Sequence, residues 1–436
     1  MPIGRRSNRA RYPPLEHTGS YYAATRNVET DYPRLEGEHR CDVAIVGGGF
    51  TGVSTALHLA ERRYDVALLE ANRIGWGASG RNGGQLIDGF VELKRIEKRL
   101  GTGAAEMARR MGLECRDIVL QRIEQYSIKC DLRFGFIYVA TRGSEILDLQ
   151  DELNDKLRSN YPHELRLVSG AQMQEYVDSR HYIGGLVNFG NGHLHPLNLC
   201  AGEARAAHSL GARIFEQSPV TKIRHGDRPC VETANGKIIA HKLVLAGNAY
   251  LGRAEPRLHG SVIPAGSYMI ATEPLGKARA AALLPADFAY CERSVGLNYF
   301  RLSADERLLF GGMCNYSGRD PKNITSALRP KMLTIFPQLT DVRIDYQWGG
   351  NIAISIKRIP QFGRVGNNCY YAQGYSGHGV APTHLAGKIL ADVIAGDSEQ
   401  FDVFARIKHW RLPGGRWFAN PVLALGMLYY RLKELL

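Results

Sequence analysis

Paired cysteines are missing from this chain. Its eight cysteines are scattered, with no CxxC and no spacing that suits a metal, which argues against a disulfide scaffold, a zinc module and a dithiol redox centre. They read as reduced thiols in a reducing compartment, so the cytoplasm is expected. Long apolar runs are also missing. A membrane-spanning helix needs about 20 apolar residues, and the best candidate, residues 421–436, breaks at Arg431 and Lys433. That segment reads as a helix docked on the body or on another subunit, which leaves an oligomer open, with peripheral membrane contact as the alternative. Acids are missing from the first 15 positions, where Arg5, Arg6, Arg9 and Arg11 stand unbalanced before Glu16. An arginine pair can open an export signal, but no apolar stretch follows it, so the arm reads as a solvated tail. It supplies part of the formal net charge of +12; the remainder would attract an anionic substrate. Basic and aromatic residues do not interleave as they do in nucleic-acid binders. Repeats and low-complexity segments are absent, and 436 residues suffice for two lobes with their own cores.

What is present begins at Asp42. The buried-strand pattern DVAIV runs into Gly47-Gly48-Gly49-Phe50-Thr51-Gly52, then a helical segment to about Arg63, then VALLE ending at Glu70. Strand, glycine turn, helix, strand and acid at these spacings form the βαβ unit that holds the ADP half of a dinucleotide. Gly47 permits the tight turn, Gly49 lets backbone approach a pyrophosphate, and Gly52 lets helix and strand pack closely. The helix start offers N–H groups and a positive dipole end to phosphate, and Glu70 stands where a carboxylate would hold ribose hydroxyls. The small-residue run from Ile74 to Gln85 follows, where backbone can lie against a flat ring. Near the far end, Gly374-Tyr375-Ser376-Gly377-His378-Gly379 sits between an apolar strand and a helical pattern over about 382–394. Too little chain remains for a second nucleotide unit, so this turn is expected to aim N–H groups at negative charge.

At these residues the chain resembles the D-amino-acid-oxidase-like family of FAD-dependent amine oxidoreductases. The matching stretches include SYYAAT (Ser20 to Thr25), Cys41 to Leu86, GHLHPLNL (Gly192 to Leu199), LAGNAYLG (Leu245 to Gly252), RIPQFGR (Arg358 to Arg364) and QGYSGHGV (Gln373 to Val380). Within the family the likeness is to the branch that oxidises γ-glutamylated polyamines such as γ-glutamylputrescine. The resemblance implies an α/β plus α+β fold: a Rossmann-like FAD-binding lobe of glutathione-reductase type with an inserted substrate lobe on an antiparallel-rich sheet. The FAD lobe is expected over 39–99, 186–260 and 349–398 and the substrate lobe over 100–185 and 261–348, flanked by an arm (1–38) and an extension (399–436). FAD contacts are expected from Gly47, Gly49, Phe50, Thr51 and Gly52, from Glu70 and Ala71, and from Gly77, Ala78, Ser79, Arg81, Asn82, Gly83, Gly84 and Gln85. Further contacts are expected from Val220 and Gly247, and from Gly374, Gly377, His378, Gly379 and Val380.

Chemistry would be hydride removal from the amine-bearing carbon to the flavin, followed by hydrolysis of the imine. His378 is read either as a donor beside the flavin or substrate, or as a turn histidine satisfied by backbone. Tyr299 and Arg301 alternate on one strand face; Arg301 either binds a substrate carboxylate or pairs with Asp305 or Glu306. Tyr268, Trp348 and Tyr375 are candidate aromatic walls. His193 and His195 are read as structural, and no metal is expected. Some family members attach FAD through a cysteine in the region here written Ser355-Ile356-Lys357-Arg358, so FAD is expected to be non-covalent. Others place a lysine on a strand corresponding to Leu308 to Gly312 to activate oxygen; none stands there, leaving oxygen or a membrane quinone or other electron carrier as acceptor. Two other readings stand beside this one: a related enzyme acting on an N-methyl amino acid, D-amino acid or other amine, and a flavin-binding subunit without turnover.

Overall fold

The computed structural model describes residues 16–90, 93–252, 254–293, 296–315 and 320–411. The βαβ unit forms as its residues dictate. Strand Gly37–Val46 pairs in parallel with Val66–Leu69, and the helix between them, Phe50–Glu61, begins inside the glycine turn. Strands buried on both faces suit a parallel sheet, and Val43, Ala44 and Ile45 are all buried. The sheet runs Gln361–Arg364, Cys369–Gln373, Gly236–Leu245, Gly37–Val46, Val66–Leu69, Arg213–Phe215, with a small antiparallel pair, Lys222–Arg224 and Cys230–Glu232, attached to Gly236–Leu245. Helices Phe50–Glu61, Thr102–Gln125, Pro196–Ser209 and Val380–Ala395 contribute to the largest apolar core.

Among the described residues the second sheet has nine strands: Ile344–Ile354, Ile263–Thr272, Leu308–Asn315, Tyr299–Leu302, Ala289–Glu292, Arg133–Ala140, Gly184–His193 and Gln85–Leu86 in order, with Leu165–Ser169 also paired to Gly184–His193. All its pairings are antiparallel except that of Ala289–Glu292 with Arg133–Ala140. The expected fold class is therefore the observed one: an α/β lobe and a largely antiparallel second lobe.

Local expectations differ from the structure in four places. Residues 186–193 and 349–354, assigned from sequence to the nucleotide lobe, are strands of the second sheet. The long helix expected from about Glu92 breaks at Gly101, whose φ of +86° ends Leu93–Leu100 before Thr102–Gln125 begins. The strand expected over Ala212 to Ile223 stops at Phe215, since the chain turns at Gln217, which has φ +49° and donates its N–H to Asn72 O. Part of the arm is packed: Tyr22 is fully buried and Leu35 is 1% exposed. The four tail arginines and the C-terminal segment 421–436 lie outside the described residues. Among those described, no helix is long and apolar enough to cross a membrane.

Candidate active site and cofactor cradle

The first glycine turn has no room for side chains. Gly47 has φ +114°, and a Cβ on Gly52 would lie 1.9 Å from the Gly47 carbonyl oxygen. The helix start at Gly49 has no side-chain cap of its own; the Phe50 N–H reaches across to Ser79 Oγ at 2.9 Å. That bond fastens the Ala78–Gly80 turn beside the helix N-terminus, where a pyrophosphate is favoured. The Glu70 carboxylate accepts from Gly48 N at 2.7 Å and from Asn72 N at 2.9 Å, while burial pushes its pKa up. It is thus held at the rim of the turn, next to Ala71, by the backbone of both segments. Val220 packs half-buried on the apolar face behind this rim.

The loop from Gly77 to Gln85 is braced from within and from the second lobe. Asn82 Nδ2 donates to the Ala78 and Ser79 carbonyls, and Asn82 Oδ1 accepts from Gly84 N at 2.8 Å. Gln85 Nε2 donates to the Tyr290 carbonyl. Arg301, 5% exposed, donates from Nε to Gly83 O at 2.7 Å, from Nη2 to Leu194 O at 2.8 Å and to the Tyr22 hydroxyl at 3.1 Å, and from Nη1 to Leu302 O at 2.9 Å. Arg81 lies over the Trp76 ring at 4.1 Å and donates to Gly349 O, while its Nη2 is buried without a hydrogen-bond partner among the described residues. An orphaned guanidinium nitrogen beside a glycine-lined loop suits an anionic or carbonyl-rich group.

The second turn closes the cradle. Gly374 and Gly377 have φ of +81° and +93°, and Gly374 N donates to Asn248 Oδ1 at 3.0 Å, tying it to the Gly247–Asn248 turn. Gly379 caps helix Val380–Ala395, which starts two residues earlier than the sequence pattern suggests. Pro382 falls in its first turn, where a missing N–H costs nothing. The Tyr375 and Thr51 hydroxyls share a hydrogen bond of 2.8 Å, joining the two glycine turns. Deeper in, His384 Nε2 meets Glu203 Oε2 at 3.1 Å with both side chains fully buried. His378 is exposed in the second turn, with its backbone N–H donating to Tyr375 O at 3.1 Å; local desolvation holds its pKa below the ordinary histidine value, and the charges of Asp88 and Glu152 oppose that shift.

Several sequence-derived candidates change their meaning here. Tyr299 and Arg301 do share a strand face, but it faces the loop: a Cβ on Gly83 would lie 2.8 Å from the Tyr299 ring. Arg301 is consumed by buried backbone carbonyls, so it is a clamp and has no donor set aside for a substrate carboxylate. The alternative pairing fails too: among the described residues Arg301 forms no ion pair with Asp305 or Glu306, and Asp305 is taken by Arg307 and Tyr21. Tyr375 is a tie rather than a pocket wall; the Tyr268 hydroxyl donates to Asp320, and Trp348 Nε1 to Arg81 O. Tyr22 and Asn248, which hold Arg301 and Gly374, carry no signature that spacing alone would reveal.

His193 Nε2 donates to Asp287 O, so the His-x-His pair does not converge on a metal. His195 is the N-cap of Pro196–Ser209: Nδ1 accepts from Asn198 N at 3.1 Å and Nε2 meets Thr25 Oγ1 at 3.1 Å. Burial lowers its pKa to about 3. The unfolded chain therefore binds a proton there below pH of about 6.5 that the folded chain refuses, and stability falls as pH drops through that window. His195→Asn keeps a capping oxygen and should shrink the stability difference between about pH 7 and about pH 5, measured by denaturant unfolding. An unchanged difference would mean that His195 does not titrate as this geometry implies.

The cradle fits FAD: glycines where a Cβ would collide, a helix N-terminus whose N-cap is glycine, a rim carboxylate and an orphaned guanidinium. Residues 355–358 contain no cysteine, and Cys369 is buried in its strand with its pKa pushed up to about 12. FAD is accordingly expected to leave the protein completely on acid precipitation; flavin retained in the washed pellet would show a covalent bond.

Comparison with known proteins agrees with this geometry. The family model for FAD dependent oxidoreductases (DAO) matches residues 42–393. The gamma-glutamylputrescine oxidoreductase of Escherichia coli (strain K12) is 44% identical over 421 residues, covering 96% of this chain and 99% of that protein. The probable oxidoreductase OrdL of Haemophilus influenzae is 40% identical, covering 96% and 98%. Among solved structures, glycine oxidase from Geobacillus kaustophilus superposes with a TM-score of 0.72 at 23% identity, covering 85% of this chain and all of that one. With the match running unbroken through both glycine turns and both sheets, the chain belongs to the DAO family of FAD-dependent oxidoreductases.

Proposed function

We propose that the chain oxidises the primary amine of γ-glutamylputrescine to the aldehyde, with release of ammonia, as a step of putrescine catabolism. The observation that carries this reading is the 44% identity to the Escherichia coli enzyme along essentially the whole of both chains. FAD, when bound, supplies the acceptor for the hydride leaving the amine-bearing carbon. The protein's part is to hold, orient and desolvate. Arg301 fixes the Gly83–Gln85 loop; Arg81 and the start of helix Val380–Ala395 offer positive charge to the reduced cofactor. Tyr299, Ile87 and Phe136 form a largely apolar wall beside the loop, which favours the neutral amine needed for hydride loss. His378, in the second glycine turn, is a neutral ring because desolvation lowers its pKa. Water then adds to the imine carbon, and the C–N bond breaks to give aldehyde and ammonia.

Anaerobic mixing of the yellow protein with γ-glutamylputrescine should bleach the flavin within the dead time of manual addition. A flavin that stays oxidised with this substrate, yet bleaches with glycine, sarcosine or a D-amino acid, would overturn the assignment. Strand Leu308–Asn315 contains no lysine, so readmitted air separates oxygen from a quinone-type carrier as the acceptor: fast return of the yellow colour means oxygen.

A further inference from the structure

A cavity of about 50 Å³ opens in the second lobe, where a single water needs roughly 10–15 Å³ by the same measure. One wall is aromatic and apolar: Ile87, Phe136 and Tyr138. The same three residues pack with Tyr299, and Tyr299 covers Gly83 of the cofactor loop. The wall therefore runs without a break from the cofactor loop to the cavity. The opposite wall is charged. Glu152 and Lys156 lie four residues apart on helix Gly143–Arg158 and both line the space, so they stand one turn apart on one face. They do not pair with each other. Glu152 meets Arg293 at 2.5 Å, while Lys156 Nζ lies 3.5 Å from Asp88 Oδ1 and 4.0 Å from the centre of the Tyr161 ring. Asp88, 9% exposed, also accepts from Asn191 Nδ2 at 3.2 Å and from the Tyr161 hydroxyl. Strand Gln85–Leu86, which leads directly into Ile87 and Asp88, packs against helix Val380–Ala395 behind the second glycine turn, so this end of the cavity lies near that turn, and the charges of Asp88 and Glu152 act on His378.

The charges facing the cavity, together with Arg293 behind Glu152, are two acids and two bases. A simple diamine would leave an excess of positive charge there; a group carrying one ammonium and one carboxylate would not. The γ-glutamyl moiety carries that pair on a single carbon, at the end of the molecule remote from the reacting amine. We propose that this cavity is the subsite for the amino-acid head of the substrate, with Glu152 and Asp88 facing its α-ammonium and Lys156 its α-carboxylate. The proposal rests on the substrate reading above and adds to it the residues that tell a γ-glutamylated amine from a free one.

The test uses the full-length, FAD-loaded protein and two substrates: γ-glutamylputrescine and glutarylputrescine, which lacks only the α-ammonium. The wild type should prefer the first at least about tenfold in kcat/KM, a discrimination of about 1.4 kcal/mol. Glu152→Gln should erase most of that preference through KM with kcat little changed. Lys156→Met should raise KM for both substrates, since both keep the carboxylate, and Lys156→Arg should restore it in part. A wild type with no preference, or a Glu152→Gln enzyme that keeps the full preference, overturns the subsite while leaving the substrate reading intact. If Glu152→Gln does not retain FAD, the wild-type preference and the lysine pair decide. A wild type that oxidises neither compound removes the substrate reading, and the subsite with it.

Discussion

Gly52→Ala should yield a folded protein that no longer holds FAD. The added methyl would sit 1.9 Å from the Gly47 carbonyl oxygen, and that oxygen belongs to a backbone turn with φ +114° packed closely against the Ala246 backbone. Overpacking a core costs about 1–3 kcal/mol when side chains can yield; here the glycine turn itself must move. A shift of one ångström there displaces the N–H groups that face the pyrophosphate. A loss of two or more powers of ten in FAD affinity is expected, about 3 kcal/mol or more, with far-UV circular dichroism close to wild type. Gly143→Ala is the control, because a Cβ there meets nothing within 4 Å. FAD binding at near wild-type affinity by Gly52→Ala would mean that helix and strand are less closely packed than described.

Arg301→Leu is expected to be the most destabilising change in the second lobe. It would strip hydrogen bonds from the Gly83, Leu194 and Leu302 carbonyls and the Tyr22 hydroxyl, and a buried group left unsatisfied costs about 1–3 kcal/mol. Loss of about 3–5 kcal/mol is anticipated, because four buried acceptors lose their donor together at about 1–3 kcal/mol each and part of that is offset by the guanidinium no longer being desolvated. Unfolding in guanidinium measures it. The same variant tests the role of the residue: as a clamp on the cofactor loop it should weaken FAD binding and lower kcat, whereas a residue that grips substrate carboxylate would raise KM with stability intact. The second outcome would return Arg301 to the substrate side.

The contrast between these two residues shows what the chain discloses in advance. Gly52 was legible because its role depends on residue type at fixed spacing: only glycine fits, and strand, helix and Glu70 frame it. Arg301 was not, because its partners are backbone carbonyls, which leave no mark on the sequence around them. The same reason hid Gly184–His193. Its four glycines resemble a loop, yet a Cβ on Gly192 would lie 2.1 Å from the Arg133 carbonyl and one on Gly185 2.8 Å from that of Tyr138. Close approach to the neighbouring strand, rather than turn formation, requires them. The parallel pairing of Ala289–Glu292 with Arg133–Ala140 lies further out of reach, since it depends on strands roughly 150 residues apart meeting in a finished sheet.

The hydroxyl contact between Thr51 and Tyr375 joins positions 324 residues apart. Strand Gly37–Val46 sits inside its sheet, with Gly236–Leu245 on one side and Cys369–Gln373 beyond that. During synthesis the first phosphate turn therefore emerges early and waits, with one edge of its strand open, for most of the polypeptide to follow. A growing chain has no complete place for its cofactor until helix Val380–Ala395 has cleared the ribosome. Until then an apolar half-sheet with an unpaired strand edge stands exposed, the kind of surface on which incomplete chains aggregate.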